Sequence, residues 1–230
     1  MKKEVVNSAK KVKRKKKAVR LLKIIILILL LLLLLLYIVF SLIYNNGSFS
    51  VTLDRNLYIK NGIIIYDDPD YKVFRSELQA ETMPFIDNIK YTWLPENLDT
   101  RSDGSHNGEN YVAYTFYIEN LGDEIADYWS EIVIDDVIMN VDEAIRIRVY
   151  KNSESTTYAK IAYNGSPETG TIAFTSDTLV ARNHVQNFSP GDRNKYTIVL
   201  WLEGSDPECT DNILGGEFKV HMDFKSEIIK

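Results

Sequence analysis

The chain has 230 residues and a net charge of −5, which combines 27 basic and 32 acidic side chains. Residues 1–23 hold eleven of the bases and one acid, so the rest of the chain carries 16 bases and 31 acids, a charge of −15. A surface this acidic repels nucleic acid. The single cysteine, Cys209, excludes a disulfide within the chain.

A basic tail, residues 1–23, comes first in chain order. Positive charge beside a hydrophobic segment keeps a short tail in the cytoplasm, so the tail is predicted to set the topology. It can also bind anionic lipid head groups, at ~1 kcal/mol per basic residue near the surface. Nucleic acid is not expected as a partner, because no aromatic side chains for base stacking alternate with the bases. The residues predicted to determine topology are Lys13, Arg14, Lys15, Lys16, Lys17, Arg20 and Lys23.

An uncharged run, residues 24–44, follows the tail and contains eight consecutive leucines. A helix of this length would span ~31 Å, about the thickness of the hydrocarbon core of a bilayer. We therefore predict a single transmembrane helix, retained as a signal-anchor, with the N-terminus in the cytoplasm and the C-terminal domain outside the cell. Cleavage after Ser50 is the alternative, because Ser48 and Ser50 have the spacing of a signal-peptide site, and it would release a secreted protein. The predicted membrane-spanning residues include Ile24, Leu29, Leu36 and Tyr44.

Residues 45–50 form a short predicted linker, and residues 51–230 form the predicted extracellular domain. Apolar and polar residues alternate in this domain with a period of two, which is typical of strands with one buried face. The segment 196–202 is apolar on both faces, which predicts a strand covered on both sides. Many short strands without long helices between them predict an all-β fold, an antiparallel β-sandwich of jelly-roll type. The clearest strand patterns are 111–119, 145–150, 196–202 and 217–225.

Turn residues and composition predict further elements of this domain. Asn61-Gly62 between two apolar runs indicates a β-hairpin over 57–66 with a type I′ turn. The polar stretch 95–110 is predicted to be an exposed loop. Aromatic side chains are expected mainly in the core, with Tyr111 and Tyr117 facing outward. Additional strands are expected near 48–53, 71–75, 89–93, 130–139, 157–163, 171–175 and 178–182, and helical turns near 76–82 and 210–214.

The sequence contains no motif of a serine hydrolase, a zinc protease or a phosphate-binding loop. We therefore predict no enzymatic activity, no catalytic residue and no cofactor-binding residue. An exposed position is expected for His221, on the polar face of the last strand, while His106 in the 95–110 loop could serve as a ligand. Cys209 lies between acids that raise its pKa, which disfavours a role as nucleophile.

Two acidic patches are the candidates for a metal site, and calcium is the ion that their oxygen ligands suit. The first patch lies in the 95–110 loop, but Arg101 interrupts it and its register does not match a calcium loop. The second patch follows the strand 196–202. Ordinary solvated loops are the competing interpretation of both. The candidate ligands are Asp99, Asp103, Asn107 and Glu109 in the first patch, and Glu203, Asp206, Glu208 and Asp211 in the second.

Two stretches carry a resemblance to a known family. Tyr111–Asp123 is an alternating strand that runs into an N-x-G turn, and the closing stretch begins at Tyr196 and ends at Phe224. With the basic N-terminus and the acidic, cysteine-poor domain, they resemble the TasA/camelysin-like surface and biofilm-matrix proteins of Gram-positive bacteria. The resemblance implies a jelly-roll-like fold, secretion, and fibres built by strand donation between subunits. The polyleucine run departs from that pattern and favours permanent anchoring.

Three functions follow from these observations as hypotheses. The first is a non-enzymatic, membrane-anchored cell-surface protein that mediates assembly, adhesion or matrix contact, with Ser48–Leu53 as an edge or donated strand. The second is a module that binds cell-wall glycan or another ligand through exposed aromatic side chains and the 95–110 loop. The third is a secreted fibre subunit after cleavage of the leader. The expected partners are the lipid bilayer, a second copy of the chain, other surface proteins or cell-wall glycan.

Overall fold

The computed structural model describes residues 2–44, 49–83 and 85–226, which belong to two compact units, Met1–Asn46 and Gly47–Lys230. The first unit is one helix, α1 (Lys2–Tyr44), which includes the basic residues of the tail and the uncharged run. Within its stretch Lys15–Val39, a run of 18 residues reaches a mean hydropathy of 3.3, and the stretch is long and apolar enough to cross a membrane. A helix of this kind near an N-terminus is typical of both a membrane anchor and a signal sequence. Most of the predicted linker lies outside the described residues.

The second unit, hereafter the β-rich unit, contains two β-sheets. The five-stranded sheet has the order β10-β6-β12-β1-β3, and the seven-stranded sheet has the order β2-β5-β11-β7-β8-β9, with β4 also paired to β5. Short helices α2 (Arg55–Asn61) and α3 (Leu98–Arg101) and three 3-10 turns (Tyr91–Trp93, Val141–Glu143 and Asp211–Ile213) connect the strands. The strands are β1 (Phe49–Leu53), β2 (Ile63–Tyr66), β3 (Glu77–Gln79), β4 (Gly104–Ser105), β5 (Val112–Asn120), β6 (Ala126–Ile138), β7 (Ile145–Lys151), β8 (Glu154–Ala159), β9 (Ile172–Ala173), β10 (Leu179–Phe188), β11 (Arg193–Leu202) and β12 (Glu217–Lys225).

Both sheets are mixed, so the prediction of purely antiparallel sheets is wrong. Strand β1 pairs with β12 in parallel, from Phe49 opposite Val220 to Leu53 opposite Phe224, and β8 pairs with β9 in parallel. The other strand pairs are antiparallel. Alternation of apolar and polar residues reports which face of a strand is buried, but it carries no information about the direction of the neighbouring strand.

One hydrophobic core receives side chains from both sheets. The alternation predicted for 217–225 is confirmed, because the apolar residues of β12 point inward and are buried. The ring of Phe224 lies 6.0 Å from that of Phe116 in β5 and 5.5 Å from that of Tyr196 in β11, so aromatic contacts join the two sheets. The predicted strands 111–119, 145–150 and 196–202 are confirmed as β5, β7 and β11, and β11 is buried on both faces.

The outer face of the seven-stranded sheet is covered by its own connecting segments. A second cluster there includes Leu98, Tyr111 and Trp201. Tyr111 and Tyr117 are each only 7% exposed, so the prediction that they face solvent is wrong. The stretch 95–110 is likewise not a simple exposed loop, because it contains α3 and β4 and buries Leu98 completely.

The segment predicted as a hairpin over 57–66 begins with a helix. Asp54 accepts a hydrogen bond from the backbone N–H of Asn56 at 2.9 Å and caps the start of α2. Gly62 ends the helix with a φ of +68°, and its N–H donates to the carbonyl of Tyr58 at 2.9 Å. Asn-Gly tolerates a positive φ in a turn and at a helix end alike. Only the second predicted strand of this hairpin exists, as β2.

Three further local predictions are wrong. Residues 71–75 form no strand, 89–93 contain a 3-10 turn instead of a strand, and 76–82 contain strand β3 instead of a helical turn. The helical turn predicted near 210–214 is confirmed by Asp211–Ile213. Ser48 lies outside the described residues. Strand β1 is not an edge strand, because it pairs with β12 on one side and β3 on the other.

Candidate functional site

A cleft of 590 Å³ opens on the outer face of the seven-stranded sheet. Strand β7 contributes Arg146 and Arg148, which point outward because Ile145 and Ile147 point into the core. Strand β11 contributes Trp201, which is opposite Arg146 in the ladder. Tyr91 from a 3-10 turn and the connecting segments 168–171 and 203–207 complete the walls.

Three carboxylates meet beside this cleft, and two of them belong to residues that line it. One oxygen each of Glu168, Asp206 and Glu208 lies within 4.8 Å of the others. The guanidinium of Arg146 is hydrogen-bonded to Asp206, lies 3.3 Å from Glu168 Oε2, and donates to the carbonyl of Ile145 at 3.2 Å. Burial raises the pKa of Glu168, and the nearby charge of Asp206 raises it further.

Two residues of the second predicted calcium patch, Asp206 and Glu208, therefore come together. Glu168 was not a candidate, because it lies 38 positions before Asp206 and no local pattern marks it. The guanidinium of Arg146 already compensates part of the charge in this cluster, so calcium binding stays a prediction. Asp211 lies apart at the start of a 3-10 turn and is exposed.

Glu203, the fourth residue of that patch, is engaged within the protein. It accepts hydrogen bonds from Trp201 Nε1 at 3.0 Å and from the backbone N–H of Tyr91 at 2.9 Å, and Ser205 also donates to it. Burial opposes its ionisation, but the hydrogen bonds from Ser205 and Trp201 lower its pKa below the ordinary value. Glu203 thus links the 3-10 turn that contains Tyr91 to strand β11 through hydrogen bonds.

Arg148 lies in the same cleft and contacts two tyrosines, but it has no carboxylate partner within the described ranges of the β-rich unit. Its Nη1 donates to the hydroxyl of Tyr91 at 2.7 Å, and its guanidinium lies 4.7 Å from the ring centre of Tyr91 and 5.4 Å from that of Tyr150. Its Nε is buried and has no hydrogen-bond partner among the described residues. No carboxylate in the described part of the chain forms an ion pair with it.

The first predicted calcium patch does not converge. Asp99 lies in the first turn of α3, and Asp103 accepts a hydrogen bond from the hydroxyl of Tyr117 at 2.6 Å. Asn107 accepts from the backbone N–H of Ala113 at 2.9 Å, and Glu109 is exposed. Within the residues that the structure describes, Asp99, Asp103 and Glu109 form no cluster of three ligands.

His221 sits in an ionic network on the outer face of the five-stranded sheet. Its Nδ1 lies 2.7 Å from Asp135 Oδ1 and its Nε2 lies 3.2 Å from Asp223 Oδ2. The hydrogen bond to Asp223 and then that to Asp135 raise the pKa of His221 to about 9. Thr52 and Lys225 also bond to Asp223. The prediction of an exposed histidine is wrong, since only 19% of the side chain is accessible.

Two further histidines and the single cysteine have contacts within the β-rich unit. His106 Nε2 lies 2.9 Å from Thr115 Oγ1, and its other ring nitrogen, Nδ1, is buried and has no hydrogen-bond partner among the described residues. Burial lowers the pKa of His106. His184 stacks on Trp129, with ring centres 4.1 Å apart. Cys209 packs against the core, and burial followed by the charge of Asp206 raises its pKa, as predicted.

No protein-family model matches the sequence, and no curated protein matches it either. Two solved structures of a beta-glucosidase from Kluyveromyces marxianus, one in complex with glucose and one labelled with selenomethionine, share 12% and 11% identity with this chain. Each superposition covers 73% of this chain with a TM-score of 0.25. The chain spans 15% and 16% of the length of those structures. A similarity this low carries no argument about fold or activity.

Proposed function

We propose that this protein is a membrane-anchored cell-surface protein whose β-rich unit mediates assembly, adhesion or matrix contact and has no catalytic role. The supporting observation is that the chain contains both an apolar stretch, Lys15–Val39, and a separate compact unit that has its own core. The eleven bases before the apolar run favour a cytoplasmic N-terminus and an extracellular β-rich unit. In this proposal the two sheets form a β-sandwich of jelly-roll type, in keeping with the TasA/camelysin-like resemblance.

The contact surface in this proposal consists of side chains rather than an open strand edge. Strand β10 forms one edge of the five-stranded sheet, but its register shifts twice, between Leu179 and Ala181 and between Val185 and Phe188. Bulges and charged side chains hinder the addition of a further strand. At the other edge, β3 has three residues. These features of the five-stranded sheet favour a tethered contact module over a fibre built by adding strands to that sheet.

Cell fractionation tests the anchoring. Cells that express the full chain with a C-terminal tag are separated into membrane, surface and medium fractions, and the tagged protein is sequenced from its N-terminus. We expect an intact N-terminus in the membrane fraction and digestion of the tag by protease added outside intact cells. A start near residue 51 in the medium would overturn anchoring and favour the secreted fibre subunit.

The β-rich unit also has the features of a ligand-binding module, and we propose this as a second candidate function. The observation that favours it is the cleft of 590 Å³, in which Arg148 lies between Tyr91 and Tyr150. Tyr91 is 47% exposed, so it can contact a bound molecule. A glycan array probed with the full chain in detergent, with and without calcium, tests this candidate. Absence of binding in both conditions would count against it.

A further inference from the structure

We propose that the cleft binds an acidic saccharide and that Arg148 holds the carboxylate of that ligand. This inference rests on the second candidate function and names its ligand class. It does not depend on whether the chain is anchored in a membrane.

Two cations of the cleft wall, Arg148 and Lys90, have no carboxylate partner among the described residues, and of the two only Arg148 is held in place by other side chains. The carboxylates of Glu168 and Asp206 contact Arg146, and Glu203 accepts hydrogen bonds from within the protein. These three acids are therefore engaged by groups of the wall itself. Arg148 is in the same wall and forms no ion pair in the described part of the chain, so its charge is available to a ligand.

Arg148 is also oriented before any ligand arrives. The hydrogen bond to Tyr91 and the two ring contacts fix the plane of the guanidinium without adding a negative charge. A side chain that is ordered in the free protein loses less conformational entropy on binding. The planar guanidinium offers N–H donors in a fork that matches the geometry of a carboxylate.

The other wall residues suit a sugar. Thr92, Thr157 and Thr169 line the cleft with hydroxyl groups that can donate and accept hydrogen bonds. Thr157 is directly opposite Arg148 in the ladder between β7 and β8, so the two side chains lie on the same face of the sheet. Tyr91 is partly exposed, so its ring can contact the apolar face of a sugar ring. Hydroxyl groups, an aromatic ring and a guanidinium without an ion-pair partner among the described residues are together suited to bind a sugar that carries a carboxylate.

Calorimetric titration of the full chain in detergent micelles tests this assignment. The probe is a trisaccharide of galacturonic acid, and the matched ligand is the neutral trisaccharide of galactose. We expect the acidic trisaccharide to bind about tenfold more tightly than the neutral one. Arg148→Gln should weaken binding of the acidic trisaccharide about tenfold and leave binding of the neutral one unchanged. Arg148→Lys should weaken it about threefold, because an ammonium group lacks the planar fork.

Arg55→Gln is the matched control, since Arg55 is exposed in α2 and its loss changes the net charge equally. It should bind as the unmodified chain does. Far-ultraviolet circular dichroism confirms that each variant is folded, and the Arg148→Lys variant keeps the test informative if Arg148→Gln does not fold.

Three results would overturn the inference. Equal binding of both trisaccharides would leave a ligand-binding module but remove its preference for an acid. Full binding by Arg148→Gln would remove the role of Arg148, and binding of neither trisaccharide would remove the saccharide altogether. Inorganic phosphate is titrated separately, and binding of phosphate alone, lost in Arg148→Gln, would assign the site to a phosphate instead.

Discussion

Replacing His221 with glutamine removes the charged centre of the network on the outer face of the five-stranded sheet. The imidazolium lies between Asp135 and Asp223, and these contacts raise its pKa from 6.5 to about 9. Glutamine keeps a polar side chain at this position, but it cannot carry the charge. The stability of the β-rich unit should therefore depend less on pH in the variant than in the unmodified chain.

The size of this effect follows from the two pKa values. Their difference corresponds to ~3 kcal/mol, at about 1.4 kcal/mol per pKa unit. Asp135 is 45% exposed, so water screens part of the interaction and we expect ~1–2 kcal/mol. Because the folded-state pKa is the higher one, the contribution is complete below pH 6.5 and is lost as the pH rises through 9.

Urea unfolding of the full chain in detergent, followed by tryptophan fluorescence between pH 6 and pH 9.5, measures the effect. The unmodified chain should lose ~1–2 kcal/mol of unfolding free energy across this range, relative to His221→Gln. His184→Gln is the matched control, because His184 lies on the same face and stacks on Trp129. A pH dependence of stability that is the same in the unmodified chain and His221→Gln would refute the role assigned to His221.

Three further changes test the core, a turn and the buried ion pair, each by the same unfolding measurement. Phe224→Ala should destabilise the β-rich unit by ~3–5 kcal/mol, because this fully buried ring joins the two sheets; a loss below ~1 kcal/mol would contradict that role. Gly62→Ala should cost ~1–3 kcal/mol, since its φ is +68° and a Cβ would lie 2.6 Å from the neighbouring backbone. Gly165→Ala, with a φ of +79° and open space around it, should cost less, and an equal loss would remove the steric argument. Arg146→Gln should cost ~3–5 kcal/mol by leaving buried carboxylates unpaired, and a stability that is unchanged near pH 7 would contradict this account.

Local sequence patterns predicted most of the strands, because a strand with one buried face has an apolar residue at every second position. The inward positions of β12, including Phe218 and Phe224, follow directly from alternation of apolar and polar residues. The alternation pattern gave wrong predictions of exposure where other segments cover the outer face of the sheet. Tyr111 and Tyr117 occupy outward positions, yet segments distant in sequence cover them.

The candidate site was predictable only in part. Asp206 and Glu208 belong to one acidic patch of the sequence, and the structure brings them together. Glu168 and Arg146 reach the same place from other segments, and their spacing along the chain contains no sign of this. From the sequence alone, Arg148 is an ordinary polar residue on the outward face of an alternating strand. Its lack of an ion-pair partner among the described residues depends on which side chains the fold places around it, namely Tyr91 and Tyr150.

The sequence by itself determined an apolar helix of membrane-spanning length, an acidic and cysteine-poor remainder, and a β-rich fold. These properties depend on composition and short-range periodicity, which remain the same however distant segments are arranged. Only the tertiary structure decided that β1 pairs in parallel inside a sheet, and that Arg146 and Arg148 share one cleft with distant acids. Pairing partners and charge compensation arise from contacts between residues far apart in the chain, and hydrophobic periodicity does not encode those contacts.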